Sequence, residues 1–348
     1  MSAKQFEITA GLHLEKGGFL KSPVIAYHTY GDPSNPVVWV CHALTANSDV
    51  FDWWAGLFGP DAPFNPDDHY IVCANVLGSC YGTTGPLTES PGTGGYYFHD
   101  FPEITIRDMV AAHEALRQHL NIEKIHLLVG GSLGGQQALE WAILQPKLID
   151  HLALIATNAR HSAWGIAFNE SQRMAIEADS TWYRRYPEAG DAGMRAARAI
   201  ALLSYRHYGT YAEAQTDPEP VLDNYKAVSY QQYQGEKLSR RFNAFSYYRL
   251  SQAMDTHHVG RGRDTVEAVL GRIEARTLVV GISTDVLFPV PEQQYLARHI
   301  PGAEFREIHS IYGHDGFQVE TDKLGDLLDD FLRGSQLQSS ALKSLFAA

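Results

Sequence analysis

The sequence has no apolar run long enough to cross a membrane and no excess of positive charge. Charged residues make up 20% of the 348 positions and apolar residues 45%, which is enough to bury a substantial core. The formal net charge is −12, and this charge repels nucleic acid and anionic membranes over most of the surface. We therefore expect a soluble globular protein that has neither a nucleic-acid partner nor a membrane partner.

Cysteine is scarce, and the patterns of metal sites are missing. The three cysteines Cys41, Cys73 and Cys80 cannot all pair with one another, and two of them lie in apolar strand-like runs, which favours structural thiols. There is no Cys-x-x-Cys and no His-Glu-x-x-His, so we expect no metal. The N-terminal residues contain an early acid and lack the apolar segment of a secretion signal, so the expected location is cytoplasmic.

The chain is organised around residues 125–146, which indicate a buried strand, a sharp turn and a helix. Four of the five residues 125–129 are apolar, and the helix-forming run 136–144 is followed by Pro146. Gly130, Ser132 and Gly134 lie between them and match the nucleophile-elbow pattern G-x-S-x-G. The pattern alone also fits an ordinary glycine-rich turn, but the flanking strand and helix supply the context that an elbow requires.

Strand and helix patterns alternate along most of the chain. Apolar runs predict strands at residues 37–41, 70–74, 151–156, 277–282 and 304–308, after two antiparallel edge strands near 5–14 and 23–30 that are joined through 17–18. A capping-box spacing predicts a helix from residue 106 to 120, and another helix is expected around 324–332. The sequence therefore predicts an α/β fold with a mostly parallel sheet covered by helices on both faces.

The strand patterns disappear between about residues 165 and 265. Aromatic residues, arginines and helix formers dominate this stretch, as in residues 193–203. We interpret it as a helical lid inserted into the core. The predicted division is residues 1–164 for the first part of the core, 165–265 for the lid and 266–348 for the second part.

Two predicted strands follow the lid, and after each of them comes a residue that could act with Ser132 in catalysis. Asp285 stands three residues past residue 282, and His314 follows the last strand. The chain order Ser, Asp, His is that of the α/β-hydrolase architecture. A serine hydroxyl is a poor nucleophile near neutral pH, so His314 is expected to accept its proton and Asp285 to orient the imidazole. An isolated histidine or turn aspartate is more often structural, but three residues in this order favour a catalytic triad.

Longer motifs extend over nearly the whole chain. They occupy residues 41–45, 75–86, 101–110, 130–141, 281–289 and 313–316. In these motifs the chain resembles the homoserine O-acetyltransferase family, whose members are acyltransferases with the α/β-hydrolase fold. The resemblance implies transfer of the acetyl group of acetyl-CoA to L-homoserine in methionine biosynthesis, through an acyl-enzyme on Ser132. It also implies that no cofactor is bound and that the protein is a homodimer.

The resemblance also assigns residues around the nucleophile. It implies that the backbone N–H groups of Leu44 and Leu133 form the oxyanion hole. Arg198, which ends the family's Gly-Leu-x-x-Ala-Arg pattern at residues 193–198, is implied to bind the substrate carboxylate, with Tyr205 near the same pocket. Asp315 is implied to bind the substrate ammonium group. Taken alone, Arg198 also fits a solvated helix residue and Asp315 a structural turn.

The chain departs from the family pattern at two places. It has Leu133 where the family usually has Met, and residues 78–85 read Gly-Ser-Cys-Tyr-Gly-Thr-Thr-Gly where the family usually has Gly-Gly-Cys-x-Gly-Ser-Thr-Gly. The second departure touches the pocket wall and leaves a succinyl-CoA donor or an L-serine acceptor open. The triad pattern also fits a simple serine esterase or amidase, and the fold pattern fits a non-enzymatic binding module.

One segment is positively charged in an otherwise acidic chain. Residues 235–263 carry six Lys and Arg against two acids. We hypothesise that part of this segment holds the phosphates of CoA, with Arg261 and Arg263 as the residues to test. The alternative is a set of surface ion pairs with acids elsewhere in the chain.

Overall fold

Ten strands and twelve α-helices occur within residues 2–92 and 94–346, the part of the chain that this computed structural model describes. The strands are β1 (Lys4–Glu7), β2 (Leu12–His13), β3 (Phe19–Leu20), β4 (Val24–Tyr30), β5 (Val37–Cys41), β6 (Tyr70–Ala74), β7 (Ile125–Gly131), β8 (Ile149–Ile155), β9 (Arg276–Ile282) and β10 (Glu304–Ile308). The helices are α1 (Val50–Trp53), α2 (Ile106–His119), α3 (Leu133–Leu144), α4 (Ala163–Glu177), α5 (Asp191–Tyr205), α6 (Tyr208–Gln215), α7 (Lys226–Ser239), α8 (Ala244–Asp255), α9 (Val266–Leu270), α10 (Val290–His299), α11 (Gly316–Val319) and α12 (Thr321–Phe346).

Eight strands form one sheet in the order β1-β4-β6-β5-β7-β8-β9-β10. Neighbouring strands from β6 to β10 are parallel, whereas β4 is antiparallel to both β1 and β6. The prediction of one first strand over 5–14 is wrong, because the chain turns at Gly11, whose φ is 72°. Residues 17–18 join the small β2–β3 hairpin and not the two edge strands. The C-terminal helix α12 is also longer than the predicted 324–332.

Helices cover both faces of this sheet. Alternate residues of the central strands point to opposite sides, so that Trp39 and Leu128 lie in the core beneath α2, α3 and α10. Val40 and Val129 lie in the core on the other face, beneath α1 and α12. The capping box predicted before α2 is present, since Thr105 and Asp108 bond each other's backbone N–H groups. The predicted α/β-hydrolase architecture, with a mostly parallel sheet between helical layers, is confirmed.

Residues 163–255 contain helices α4 to α8 and, within this described range, no strand. They enclose a third core in which Met194 and Leu250 join Leu44 and Leu77 from loops at the strand ends and Leu133 from the start of α3. The helical segment is therefore anchored at the edge of the sheet where parallel α/β sheets place their sites. The division of the chain at residues 165 and 265 stays a prediction.

The three cysteines form no disulfide. Cys41 and Cys73 are buried and Cys80 is partly exposed. Burial raises the pKa of all three thiols, that of Cys80 to about 12, so each stays protonated near neutral pH. This agrees with the prediction of structural thiols. Among the helices of the described residues, none is long and apolar enough to cross a membrane.

Candidate active site

Ser132 occupies the sharp turn between β7 and α3. Its backbone has φ 57° and ψ −125°, a conformation that side-chain-bearing residues rarely adopt. The flanking glycines are required by close approach, since a Cβ on Gly134 would lie 2.0 Å from the carbonyl oxygen of Cys41. A Cβ on Gly130 would lie 2.3 Å from the carbonyl oxygen of Gly134. The predicted strand, turn and helix are therefore present, with the serine at the helix N-terminus.

Ser132, His314 and Asp285 are brought together in hydrogen-bonding geometry. Nε2 of His314 lies 2.9 Å from Oγ of Ser132, and Nδ1 of His314 lies 2.6 Å from Oδ2 of Asp285. The other carboxylate oxygen of Asp285 accepts hydrogen bonds from the backbone N–H groups of Leu287 and Phe288 at 2.8 and 2.9 Å. This arrangement suits a histidine that takes a proton from the serine while the aspartate fixes its tautomer.

Aromatic side chains surround the imidazole of His314. The ring of Phe288 stacks on it at a centroid distance of 5.0 Å, and those of Phe317 and Tyr205 lie at 5.3 and 5.8 Å. The exposed fraction of the His314 side chain is only 5%. The proton-transfer site is therefore shielded from bulk water, which strengthens the electrostatic interactions within it.

Within the described residues, the N–H groups assigned to the oxyanion hole have no competing acceptor. Leu133 is the first residue of α3, where N–H groups lack an intrahelical partner. In the described part of the chain, the Leu44 N–H also donates no hydrogen bond to another residue. Leu44 lines the same cavity as Ser132. The two groups thus suit a developing oxyanion at the elbow.

A cavity of about 50 Å³ lies over the nucleophile. Six of its lining residues were assigned a role from the sequence, namely Leu44, Ser132, Arg198, Tyr205, His314 and Asp315. Four others were not: Ala43, Thr45, Phe317 and Gln318. Phe317 and Gln318 follow His314 by three and four residues. Their proximity in the chain was a usable signal, because α11 begins two residues after the histidine and the Phe317 ring contacts its imidazole.

Arg198 supplies a positive charge to this cavity. Its guanidinium carbon lies 5.3 Å from the centroid of the Tyr205 ring, which is a cation–π contact. Burial raises the pKa of Tyr205, and the nearby Arg198 opposes that rise. The ion pairs among the described residues join Asp315 to Arg206 and not to Arg198, although Arg198 also acts to lower the pKa of Asp315. The guanidinium of Arg198 is therefore available to an anionic group of a ligand.

Asp315 supplies a negative charge, and it already has a neighbour of opposite sign. Burial raises the pKa of its carboxyl group, while Arg206 and Arg198 act to lower it. Nε of Arg206 lies 2.7 Å from Oδ2 of Asp315. Arg206 was missed in the sequence, although it directly follows Tyr205. The cavity of the nucleophile is thus lined by both a cationic and an anionic side chain.

The arginines of the basic segment 235–263 have different kinds of partner in the structure. Arg261 forms an ion pair with Glu15 at 2.7 Å, and Arg263 forms one with Glu140. The alternative of ion pairs with acids elsewhere in the chain therefore describes these two residues, at the surface for Arg261 and with the buried Glu140 for Arg263. Arg241 differs, because its Nη1 donates hydrogen bonds of 2.5 Å to the carbonyl oxygen of Thr45 and to the hydroxyl of Tyr81. Thr45 lines the cavity of Ser132, so Arg241 lies at its rim.

Two buried histidines outside the triad are held in local hydrogen bonds. Nε2 of His257 is 2.9 Å from the carbonyl oxygen of Asn158, and burial lowers the pKa of His257 to about 3. Nε2 of His42 accepts from the N–H of Val76, and burial lowers the pKa of His42 to about 4. Across the described residues, no group of three or more His, Cys, Asp and Glu is placed to hold a metal ion.

Known proteins with similar sequences and structures share this fold. Residues 36–321 match the family described by the alpha/beta hydrolase fold. The homoserine O-acetyltransferase of Cyclobacterium marinum is 46% identical over 334 residues, which cover 95% of each chain. The crystal structure of homoserine O-acetyltransferase from Staphylococcus aureus has a TM-score of 0.81 and 29% identity, with 95% of each chain covered. An acetylester hydrolase from Corynebacterium glutamicum has a TM-score of 0.85 at 22% identity, covering 95% of this chain and 96% of its own, a likeness of fold alone.

Proposed function

This chain belongs to the homoserine O-acetyltransferase family of α/β-hydrolase-fold enzymes, and from that membership we propose that it moves the acetyl group of acetyl-CoA to the hydroxyl of L-homoserine. The observation that carries the proposal is a single cavity in which Ser132 lies with the guanidinium of Arg198 and the carboxyl group of Asp315. An α-amino acid presents the complementary carboxylate and ammonium groups. The product is an O-acetyl amino acid, and the reaction belongs to methionine biosynthesis.

In the first half-reaction Ser132 is acetylated. Its Oγ attacks the thioester carbonyl carbon of acetyl-CoA while Nε2 of His314, at 2.9 Å, takes the hydroxyl proton. The N–H groups of Leu44 and Leu133 stabilise the tetrahedral oxyanion. Collapse of this intermediate breaks the C–S bond, the thiolate of CoA receives the proton from His314, and the acetyl ester remains on Ser132.

In the second half-reaction L-homoserine replaces CoA. Its carboxylate binds Arg198 and its ammonium group binds Asp315, which directs its hydroxyl toward the acetyl ester. His314 accepts the hydroxyl proton, the substrate oxygen attacks the ester carbon, and the proton is returned to Oγ of Ser132. The two half-reactions therefore follow a ping-pong order.

Water must lose the competition for the acetyl-enzyme. The cavity over Ser132 is small, about 50 Å³, and aromatic rings surround His314. Fixed binding of both charged groups of homoserine places its hydroxyl at high effective concentration, an advantage of several kcal/mol. The same triad without this positioning would act as a simple esterase.

Arg241 is the residue of the basic segment that we assign to the phosphates of CoA. It lies at the cavity rim, beside Thr45, and the sequence places Arg240 and Lys237 close to it on the last turn of α7 and just beyond. A guanidinium is suited to bind phosphate oxygens through two N–H groups. This local positive charge would offset the overall charge of −12 for an anionic donor.

Assembly, location and cofactor use complete the proposal. The lid exposes apolar side chains that suit a homodimer contact, including Tyr208 at 82% and Leu222 at 98% exposure. Multi-angle light scattering of the wild type and of Leu222→Lys tests this, since the variant should shift toward a monomer. The proposed location is the cytoplasm, where thiols stay reduced. No metal or bound cofactor is required, so dialysis against EDTA should leave the rate unchanged.

A coupled assay of CoA release tests the proposed reaction. Acetyl-CoA and succinyl-CoA are each supplied with L-homoserine or L-serine, and hydrolysis of a small ester is measured in parallel without acceptor. The proposal expects the highest kcat/KM for acetyl-CoA with homoserine, and CoA release that depends on the acceptor. Preference for succinyl-CoA or serine would reassign the substrate. Acceptor-independent hydrolysis that exceeds transfer would show an esterase.

A further inference from the structure

A second cavity, of about 510 Å³, opens near the active site. It lies between residues 158–163, which follow β8, and the first turns of α10. None of its lining residues lines the cavity of Ser132. Its volume lies in the range of about 300 to 1,000 Å³ that is usual for small-molecule sites, and it sits at the carboxyl edge of the parallel strands.

One wall of this cavity carries a half-buried carboxylate, Glu292. Its Oε2 accepts a hydrogen bond of 2.9 Å from Nδ2 of Asn158. Burial raises the pKa of this carboxyl group. A carboxylate in the first turn of a helix interacts favourably with the helix dipole. An exposed carboxylate gains this interaction without the desolvation cost that burial imposes on Glu292. Placement of Glu292 in the wall of a cavity instead suits a cationic ligand group.

Positive charge opposite to that of Glu292 comes from Arg160 and from the N-terminus of α4. Arg160 is exposed, lines the cavity, and is close enough to Glu292 to act against the rise in its pKa. Ala163, the first residue of the fifteen-residue helix α4, lines the cavity too. The side chain of the N-cap Ser162 accepts from the N–H of Gly165, and the remaining unpaired N–H groups of this first turn favour an anion. A cationic and an anionic side chain thus line the same mostly apolar cavity.

We propose that this cavity binds a small α-amino acid with an apolar side chain. Its ammonium group would bind the carboxylate of Glu292, and its carboxylate would bind Arg160 and the N-terminus of α4. The side chain would contact Ala159, Ala163 and Pro291, which supply apolar wall. This site is separate from the proposed homoserine site and takes the same class of zwitterion through different residues.

The cavity is connected to the backbone of the nucleophile. Oδ1 of Asn158 accepts a hydrogen bond of 3.1 Å from Gln136, whose backbone N–H bonds the carbonyl oxygen of Ser132. Oγ1 of Thr157 donates to that same carbonyl at 2.9 Å, and Gln293 of α10 holds the carbonyl of Thr157 at 2.7 Å. A ligand that draws Glu292 away from Asn158 therefore alters the support of Ser132. Occupancy should change kcat and leave the KM for homoserine unchanged.

Isothermal titration calorimetry with L-leucine tests the site directly. L-leucinamide, which lacks the carboxylate, and 4-methylpentanoate, which lacks the ammonium group, are the matched ligand controls. Arg198→Ala removes the amino-acid site beside Ser132, while Glu292→Gln and Arg160→Ala each remove one charge of the second cavity. Arg298→Ala, an exposed change at the far end of α10, is the control variant. Thermal unfolding of each variant checks that it is folded.

The expected result is saturable leucine binding that persists in Arg198→Ala and Arg298→Ala. Glu292→Gln and Arg160→Ala should weaken it about tenfold or more, and both ligand controls should bind at least about tenfold more weakly. Leucine should lower kcat in the wild type and have less effect in Glu292→Gln. No binding at millimolar leucine, or binding lost only in Arg198→Ala, would overturn the proposal. The titration uses no acyl donor, so its failure is distinct from a failure of the acetyltransfer proposal.

Discussion

Nε of Arg206 lies 2.7 Å from Oδ2 of Asp315, so the carboxylate that we assign to the substrate ammonium already has a cationic neighbour. Burial raises the pKa of that carboxyl group, and Arg206 is the first of the charges that act against the rise. The pair therefore favours the ionised form of Asp315 against the effect of burial. It also links the end of α5 to the turn that carries His314.

Removal of Arg206 should shift the pH dependence of homoserine binding. As pH falls through the raised pKa of Asp315, the carboxylate is protonated, and the KM for homoserine should rise by up to about tenfold per pH unit. In Arg206→Met the pKa of Asp315 is higher still, so this rise should begin at a higher pH. The measurement is KM from pH 5 to 8. An unchanged profile would mean that Asp315 does not receive the ammonium group.

The same variant should lose stability in a pH-dependent way. A carboxyl group whose pKa is raised in the folded state binds protons more tightly there, so its ionisation lowers stability as pH rises between the unfolded and folded pKa values. Wild type and Arg206→Met should lose stability in parallel up to the folded pKa of Asp315 in the wild type. In urea unfolding the deficit of the variant should therefore grow only above that pH and level off above the variant's higher folded pKa. Arg195→Met, an exposed residue on the same helix, should show no such trend.

The residues that the sequence revealed are those with a local signal. Ser132, Asp285 and His314 each follow a strand, and the carboxyl ends of parallel strands meet at one edge of the sheet. Arg206 gave no such signal, because its role depends on the packing of α5 against a turn more than a hundred residues later. The positive charge of residues 235–263 was evident from the sequence, but the acids that pair with it were not. Glu15 and Glu140, which pair with Arg261 and Arg263, are distant in the chain.

Substitutions of Ser132 should separate chemistry from backbone strain. Ser132→Ala should lower kcat by about 10⁴-fold or more, and intact-mass measurement should find no acetyl-enzyme. Ser132→Gly should be equally inactive but more stable than Ser132→Ala by about 1 kcal/mol, because glycine tolerates the φ of 57° at the elbow. At Ser171, an exposed helical position in α4, the order should reverse, with glycine less stable than alanine. The same order at both positions in urea unfolding would argue against strain at Ser132.

Arg198→Ala should separate the two half-reactions. Loss of a charged hydrogen-bond partner for the homoserine carboxylate should lower kcat/KM for homoserine by about 10- to 100-fold. Acetylation of Ser132, measured as a burst of CoA without acceptor, should change little. Arg195→Ala removes an exposed arginine from the same helix and should leave both half-reactions intact. Equal losses in both half-reactions would refute the assignment of Arg198 to the acceptor.

Arg241→Gln should weaken the donor and not the acceptor. If Arg241 holds CoA phosphates at the cavity rim, the KM for acetyl-CoA should rise with salt in the wild type, because exposed charges are screened over about 8 to 10 Å at physiological ionic strength. The KM for homoserine, bound at more buried charges, should rise less. In Arg241→Gln the acetyl-CoA KM should start about 10-fold higher at low salt and its salt dependence should flatten. Arg261→Ala is the control, since that arginine is paired with Glu15 and should leave the acetyl-CoA profile unchanged. A flattened profile in Arg261→Ala, or a wild-type profile in Arg241→Gln, would place the phosphate contacts elsewhere.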